Sequence, residues 1–187
     1  MYDFEYQEIA MTTWATLRQT GIAVNKAAEV KLAKVGLTPE KAAVLWACRD
    51  YPGTLTPAEI ARLVFRENQT IAGLLNRMEK EGLVTRVPKR KGHPFTEVKM
   101  TSKGEKLCGP GIDILKALIK GLVVDISVEE QKQLQKILRK LRQRMLDDLH
   151  LELDKLPTAY PAGKPIAIKW YGRFAWLGKL TKYITTG

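Results

Sequence analysis

The chain has 187 residues, a formal net charge of +11, 45% hydrophobic residues and 27% charged residues. This length supports one hydrophobic core and at most a second small one, and the composition is that of a soluble globular protein. The positive charge favours anionic partners, which are nucleic acid, an anionic membrane surface or an acidic protein. No glycine-rich phosphate loop, metal-ligand cluster or catalytic pair at suggestive spacing occurs. An enzyme is therefore disfavoured, and no metal or cofactor is expected.

The two cysteines give neither a disulfide framework nor a metal knuckle, which suggests a reducing compartment. The N-terminal stretch MYDFEYQEIA has acids where a signal peptide has bases and an apolar run, so a cytoplasmic location is predicted. Cys48 lies in the apolar run AAVLWACR and is predicted to be a small core residue. Cys108, near Lys103 and Lys106, is the better redox-sensor candidate of the two, although a structural role is favoured.

Three helices are predicted before residue 67. Apolar residues recur at near-helical spacing from about Tyr6 to Val35, and Gly36 follows as a stop. The stretches LTPEKAAVLWACRDYPG and LTPAEIARLV share one form of start, in which Thr38 or Thr56 caps the helix and proline takes its first position.

The next helix, ENQTIAGLLNRMEKEGLV, has two contrasting faces. Its buried face is predicted to carry Ile71, Leu74, Leu75 and Met78, at spacings of i, i+3, i+4 and i+7. The opposite face holds amides and small residues where a solvated helix ordinarily has Glu and Lys: Asn68, Gln69, Ala72, Gly73, Asn76 and Arg77. Gly73 costs helix stability, so either packing tolerates it or a partner approaches this surface closely.

A β-hairpin is predicted next. The stretches LVTRVP and FTEVKMT are β-branched and alternating, with Val98 and Met100 on one face and Glu97 and Lys99 on the other. The hairpin tip, Lys89 to Pro94, is basic and stiffened by proline.

Two further helices complete this pattern. Thr101 is predicted to cap the first, in which CGPG should produce a kink or a break. Ser127 and Glu130 form a capping-box signature for the last helix. Its apolar stripe has the coiled-coil period and favours a helix from a second subunit: Leu134, Leu138, Leu141, Met145 and Leu149.

A helix pair followed by a hairpin with a basic tip is the order of a winged helix-turn-helix. In helix-turn-helix docking the second helix enters the major groove, where amides can bond adenine and Arg can bond guanine. The hairpin tip can reach an adjacent minor groove, whose negative potential attracts Arg. The polar helix face and the hairpin are therefore predicted to bind double-stranded DNA.

At this point the chain resembles the MarR family of transcriptional regulators. LLNRMEKEGLVTR is similar to the end of that family's recognition helix, and VKMTSKGEKL to its returning wing strand and following helix start. The likeness covers roughly residues 5 to 150. The wing tip reads PKRKGHP and lacks the Asp of the family's Asp-x-Arg turn. The resemblance implies a homodimer on a palindromic operator, often relieved by a small-molecule effector bound between the dimerisation and DNA-binding parts.

The predicted organisation is mostly α with a small two-stranded β wing. Residues 1–36 and 105–156 form a helical dimerisation region, residues 37–104 the winged helix-turn-helix, and residues 157–187 a basic aromatic C-terminal arm. The function predicted is a DNA-binding transcriptional regulator, with repression favoured. The candidate DNA-binding residues are Thr56, Asn68, Gln69, Thr70, Ala72, Gly73, Asn76, Arg77, Arg86, Lys89, Arg90 and Lys91.

The arm at residues 157–187 leaves a second hypothesis open. It holds five basic and no acidic side chains, and its apolar residues fall on one broad helical face. Docking of this arm on the helical body is favoured. The alternative is a basic adaptor that uses the arm at a membrane surface, although a membrane partner is disfavoured.

Overall fold

The computed structural model describes residues 2–88 and 96–151. In this part of the chain six helices and one strand pair follow in the order α1 Ile9–Ala33, α2 Pro39–Asp50, α3 Pro57–Val64, α4 Asn68–Lys80, β1 Val84–Pro88, β2 Thr96–Met100, α5 Ser102–Leu122 and α6 Val128–Asp148. The predicted class, mostly helical with a small two-stranded wing, is confirmed. The predicted hairpin tip and the C-terminal arm at residues 157–187 lie outside the described residues.

Hydroxyl side chains begin four of these helices, as predicted. The side-chain oxygens of Thr38, Thr56, Thr101 and Ser127 each accept the backbone N–H three residues later, at 3.1 to 3.3 Å. Glu130 completes the predicted capping box by accepting the Ser127 N–H at 2.8 Å. Each cap satisfies a backbone donor that has no partner within the helix, which stabilises a helix by about 1 kcal/mol.

Helix α1 begins later than predicted, at Ile9 rather than near Tyr6. The Tyr6 backbone bonds to the side chain of Thr12, whose Oγ1 accepts the Tyr6 N–H at 2.8 Å and donates to the Tyr6 carbonyl at 3.3 Å. These two bonds hold Tyr6 outside the helix, because a side chain that bonds nearby backbone groups competes with helical hydrogen bonding.

The core lies where α2, α3, α4, the wing and α5 meet. Trp46 and Leu45 of α2 are at most 1% exposed, as are Ile60 of α3 and Leu75 of α4. The Trp46 indole N–H donates to Asp50 Oδ2 at 2.8 Å, so its one polar atom is satisfied. The helix-turn-helix is therefore anchored through one face of each helix.

The strand pair is antiparallel and places Val84 opposite Met100 and Pro88 opposite Thr96. Val98 is buried and Lys99 exposed, which confirms the predicted alternation along β2. The Val98 N–H donates to the carbonyl of Leu55 at 2.8 Å, so the wing is also bonded to the segment between α2 and α3.

Of the kink or break predicted at CGPG, the break does not occur, since α5 runs continuously from Ser102 to Leu122 with Pro110 inside it. Cys108, Gly111 and Ile112 are all buried on this helix. A Cβ added at Gly111 would lie 2.7 Å from Leu37 Cδ1, so the helix passes very close to the segment after α1. Tertiary packing here outweighs the local cost of proline, which is roughly 3 kcal/mol.

Both cysteines belong to the interior. Cys48 packs against the core, in agreement with its predicted role. Burial, reinforced by the nearby Cys108, raises the pKa of the Cys48 thiol to about 12. Cys108 is 2% exposed, so it lacks the solvent access on which its redox-sensor candidacy depended.

None of the helices in residues 2–88 and 96–151 combines the length and the apolarity needed to cross a bilayer.

Candidate nucleic-acid interface

Helix α4 is fixed by one face and exposed on the other. Ile71, Leu74, Leu75 and Met78 are all buried, as the i, i+3, i+4, i+7 spacing predicted. The remaining candidate residues of the helix are exposed, apart from the half-buried Gly73: Asn68, Gln69, Thr70, Ala72, Asn76 and Arg77. Because the buried face holds the helix in one orientation, these side chains form a preset surface.

The amides of this surface have no hydrogen-bond partners in residues 2–88 and 96–151. Among the described residues, Asn68, Gln69 and Asn76 make no side-chain hydrogen bond. Other exposed polar side chains do pair, as when the Gln143 amide donates to Asp147 at 2.8 Å. Unpaired amides can both donate and accept, which is what bidentate bonding to an adenine edge requires.

No neighbour in the described part of the chain requires glycine at position 73. A Cβ added there would have one neighbour within 4 Å, the Nη1 atom of Arg77 at 3.9 Å. That is an ordinary van der Waals distance to the end of a flexible side chain. The helix therefore carries the cost of glycine without a packing reason among the described residues, and the surface there is open to close approach.

Two of the predicted contact residues also have partners within the protein. Thr56 is half-buried, and its hydroxyl oxygen caps α3 by accepting the Glu59 N–H. The Arg86 guanidinium is bound by Glu79, whose Oε2 accepts the Nε–H at 3.0 Å. The Arg86 backbone N–H donates to Oε1 of the same carboxylate, also at 3.0 Å. Structural roles account for both residues without DNA.

The Glu79 carboxylate thus connects the end of α4 to the start of the wing. The Arg86 guanidinium, followed by the Arg86 backbone N–H, holds the pKa of Glu79 below its usual value. Glu79 is not among the residues predicted from the sequence, because a carboxylate in the last turn of a helix is ordinarily solvated. Only the return of β1 past that turn brings its partner within reach.

The three basic residues predicted for the wing tip, Lys89, Arg90 and Lys91, lie outside the described residues. The strands that bracket them are described up to the Pro88 and Thr96 pair. Contact of these three residues with DNA therefore stays a prediction.

The apolar stripe of α6 is exposed along the helix. Its five predicted residues are each between 38% and 59% exposed: Leu134, Leu138, Leu141, Met145 and Leu149. Helix α1 also exposes large apolar side chains, including Ile9 and Trp14. Apolar surface on this scale is unusual for a monomer and marks an interaction surface.

A groove of about 370 Å³ lies between α1 and α5. Its walls are mostly small and aliphatic, and Lys31 is its one charged residue: Ala23, Val24, Ala27, Lys31, Ala117, Leu118, Gly121 and Leu122. An apolar groove with a single amine suits a small apolar anion.

Comparison with known proteins agrees with this arrangement. Residues 35–93 match the sequence model of the MarR family. No curated protein matches significantly. The matched segment spans α2 to β1 and ends before β2, so it covers the helix-turn-helix and the first strand of the hairpin.

Solved structures extend the likeness to most of the chain. The organohalide sensing RdhR-CbdbA1625 transcriptional regulator, in its 2,4-dichlorophenol bound form, is 25% identical with a TM-score of 0.71, over 86% of this chain and 95% of that one. Its ligand-free form is 26% identical with a TM-score of 0.69, over 83% and 95%. MepR of S. aureus, solved with DNA, is 23% identical with a TM-score of 0.67, over 75% and 98%.

The resemblance read from the recognition-helix and wing motifs is thereby confirmed in both sequence and fold. Residues 35–93 thus match the MarR family, and over most of its length the chain is similar in fold to solved transcriptional regulators of the winged helix-turn-helix type.

Proposed function

We propose that the protein is a sequence-specific DNA-binding transcriptional regulator that binds a palindromic operator as a homodimer and represses transcription. One observation carries the proposal: α4 presents exposed amides with no partner in the described protein, on a helix whose buried face fixes its orientation. The match of residues 35–93 to the MarR family and the DNA complex of MepR support the same role.

Each part of the α4 surface has a role in this proposal. Gln69 and the two Asn side chains read base edges in the major groove, where an amide bonds adenine bidentately. Arg77 bonds guanine or phosphate, and Thr70 and Ala72 contact thymine methyl groups or the sugar edge. Gly73 lets the DNA backbone or a base edge approach the helix axis.

The wing supplies affinity more than sequence preference. Lys89, Arg90 and Lys91 bind phosphates or an adjacent minor groove through charge. The Thr56 hydroxyl, at the start of α3, can still donate its proton to a phosphate. Arg86 aligns the wing through Glu79 and lies beside this path as a weaker contact. Contacts of this kind fix the register of a protein on DNA without selecting a base.

Residues 1–36 and 105–156 form the dimerisation region in this proposal, around the exposed stripe of α6. A two-fold dimer presents two copies of α4, and the operator is palindromic for that reason. Half-sites then lie one helical turn apart, at roughly 34 to 36 Å.

The groove between α1 and α5 is the proposed effector site. The organohalide regulator at 25% identity is known with 2,4-dichlorophenol bound, a small apolar molecule with an acidic hydroxyl. Lys31 can pair with such an anion while the aliphatic walls bury its ring. An effector bound between α1 and α5 could alter the position of the DNA-binding region, because α5 also packs on α2.

A mobility-shift assay on DNA from upstream of the protein's own gene tests the proposal. Gln69→Ala should weaken binding to the specific duplex by about 1 to 3 kcal/mol and relax preference at one base position in each half-site. Gln133→Ala is the matched control, since Gln133 is an exposed glutamine on α6, away from α4. The control should bind as the wild type does.

Two results would contradict the proposed function. One is wild-type binding that does not distinguish the upstream duplex from a scrambled duplex of the same composition. The other is equal affinity of Gln69→Ala and Gln133→Ala for the specific duplex, which would remove α4 as the reading helix.

A further inference from the structure

Four helices of the described chain end in the same backbone motif. In each, one residue adopts a left-handed conformation and its N–H bonds three residues back, while the following N–H bonds five residues back. The left-handed residues are Gly36 after α1, Phe65 after α3, Gly82 after α4 and His150 after α6, with φ between 52° and 73°. This is the Schellman motif, so the four helix ends can be compared position by position.

Phe65 departs from the residue preference at the left-handed position of this motif. Glycine suits the left-handed position because it has no Cβ, and His is among the residues that tolerate it. A phenylalanine there is a genuine outlier, since its Cβ crowds the following carbonyl. The end of α3 is therefore the strained one of the four.

Arg66 departs from the residue preference at the next position of the motif. The residue after the left-handed position is ordinarily apolar and packs back on the helix. Leu37, Leu83 and Leu151 hold that position at the other three ends, whereas α3 has Arg66. At this one helix end the apolar residue is at the left-handed position and the polar residue follows it, which is the reverse of the usual order.

The fold gains little from this exchange. Phe65 is 62% exposed and is absent from the residues packed on the hydrophobic core. An aromatic ring held in a strained conformation without burial is unfavourable for the free protein. Departures from local rules that the fold does not explain are concentrated at functional sites.

The position of this pair indicates the partner. Phe65 and Arg66 directly precede Glu67, which occupies the N-cap position of α4, and every residue from 65 to 70 is exposed. They are therefore continuous with Asn68 and Gln69, the first residues of the proposed reading surface. An aromatic or aliphatic side chain at that edge of the major groove contacts the 5-methyl group of thymine, and an arginine beside it can bond phosphate.

We propose that Phe65 is a specificity-determining residue that contacts a thymine methyl group at the edge of each half-site, with Arg66 on a neighbouring phosphate. This assignment rests on the proposed DNA-binding function. It also explains the strained backbone of Phe65, because the left-handed conformation directs the ring toward the DNA and away from the core.

Three variants of the full chain separate the ring from the strain. Phe65→Ala removes the ring and keeps a Cβ, Phe65→Gly removes both, and His150→Gly relieves the same conformation at a helix end far along the chain. The probe is a duplex that the wild type selects from random DNA. Each thymine of one half-site is then replaced in turn by uracil, which lacks only the methyl group.

Phe65→Ala and Phe65→Gly should both bind the selected duplex about fourfold more weakly, the value of one methyl-sized apolar contact. Phe65→Gly alone of this pair should raise Tm, by about 1 to 4 °C. One thymine-to-uracil change should weaken the wild type about fourfold and leave Phe65→Ala unaffected. His150→Gly should keep the wild-type response to each thymine-to-uracil change.

Three results would overturn the assignment of Phe65 alone: a lower Tm for Phe65→Gly, unchanged affinity of both Phe65 variants, or equal sensitivity of the wild type and Phe65→Ala to every uracil. A wild type that enriches no duplex would overturn this assignment together with the proposed function.

Discussion

At the scale of single residues, two glycines on helices show how packing and function can be told apart. A Cβ at Gly104 of α5 would meet the Leu83 carbonyl oxygen and lie 2.8 Å from Met100 Cγ, so that glycine is required by the fold. Gly73 of α4 has space for a Cβ. Packing within the protein therefore explains the first glycine, whereas the proposed approach of DNA is our explanation for the second.

We therefore expect opposite effects from the same substitution. Gly73→Ala should stabilise the protein by about 0.5 to 1 kcal/mol, because alanine lowers the entropy cost of the helix, and should weaken DNA binding. Gly104→Ala should destabilise it by about 1 to 3 kcal/mol through overpacking. Urea unfolding and mobility shift measure the two effects. Unchanged DNA affinity of Gly73→Ala would show that no close approach occurs there.

The cysteines give a second residue-scale prediction. Burial raises the pKa of Cys48 to about 12, so its thiolate fraction near pH 8 is on the order of 10⁻⁴. Cys108 is buried as well. Native protein at pH 8 should therefore resist alkylation, whereas protein in urea should react at both cysteines, as mass spectrometry would show. Rapid labelling of Cys108 in the native protein would restore it as a redox candidate.

At the scale of secondary-structure elements, one carboxylate connects α4 to the wing. Glu79 lies in the last turn of α4 and accepts both the guanidinium and the backbone N–H of Arg86 in β1. The DNA contacts proposed for α4 and for the wing are on separate elements. Their relative position affects how well both can bind one duplex.

Neutralising Glu79 should loosen this connection. Glu79→Gln removes the charge that holds the Arg86 guanidinium, so backbone amides of β1 should exchange hydrogen faster. Glu129→Gln is the matched control, since Glu129 forms an exposed i,i+3 pair with Lys132. Hydrogen exchange followed by mass spectrometry measures both variants. Equal protection of β1 in both would contradict the role of Glu79.

The same contact predicts a pH dependence. The pKa of Glu79 is lowered in the folded protein from its usual 4.5. A group with a lowered pKa contributes stability that is present above its unfolded value and is lost as pH falls through the folded value. Protection of β1 in the wild type should decline below about pH 4.5, while Glu79→Gln should lack this step.

At the scale of the whole molecule, exposed apolar surface on α1 and α6 supports the proposed second subunit. Ile9 is 78% and Met145 55% exposed, although the wing and the helix-turn-helix share a well-buried core. The part of the fold that is packed within one chain is thus the proposed DNA-binding part. In the proposed dimerisation region the apolar stripe of α6 stays exposed in the single chain, and the second subunit would bury it.

Sedimentation should show a dimer of the wild type at micromolar concentration. Leu138→Glu together with Leu141→Glu should yield monomers, because the two charges would be buried in the interface. The helical signal in circular dichroism should remain, since both side chains are exposed in the single chain. A wild type that sediments as a monomer would contradict the dimer and with it the palindromic operator.

Much of this protein follows from local sequence signals. Thr38, Thr56, Thr101 and Ser127 define helix starts because a short hydroxyl side chain satisfies backbone donors three residues away. The buried face of α4 and the alternation in β2 follow from the periods of 3.6 and 2 residues. These signals depend on neighbours in the chain, so the order of elements and the buried and exposed faces of α4 were predictable.

Other features depend on residues distant in sequence, and only the tertiary structure decided them. Pro110 remains inside α5 because the helix is packed against Leu37, which a local rule for proline does not contain. Glu79 meets Arg86 only after the chain has turned at Gly82. The strain at Phe65 depends on a backbone conformation that the residue type alone would argue against. Local patterns determine the elements, whereas contacts between elements determine which side chains are satisfied by the fold and which are left for a partner.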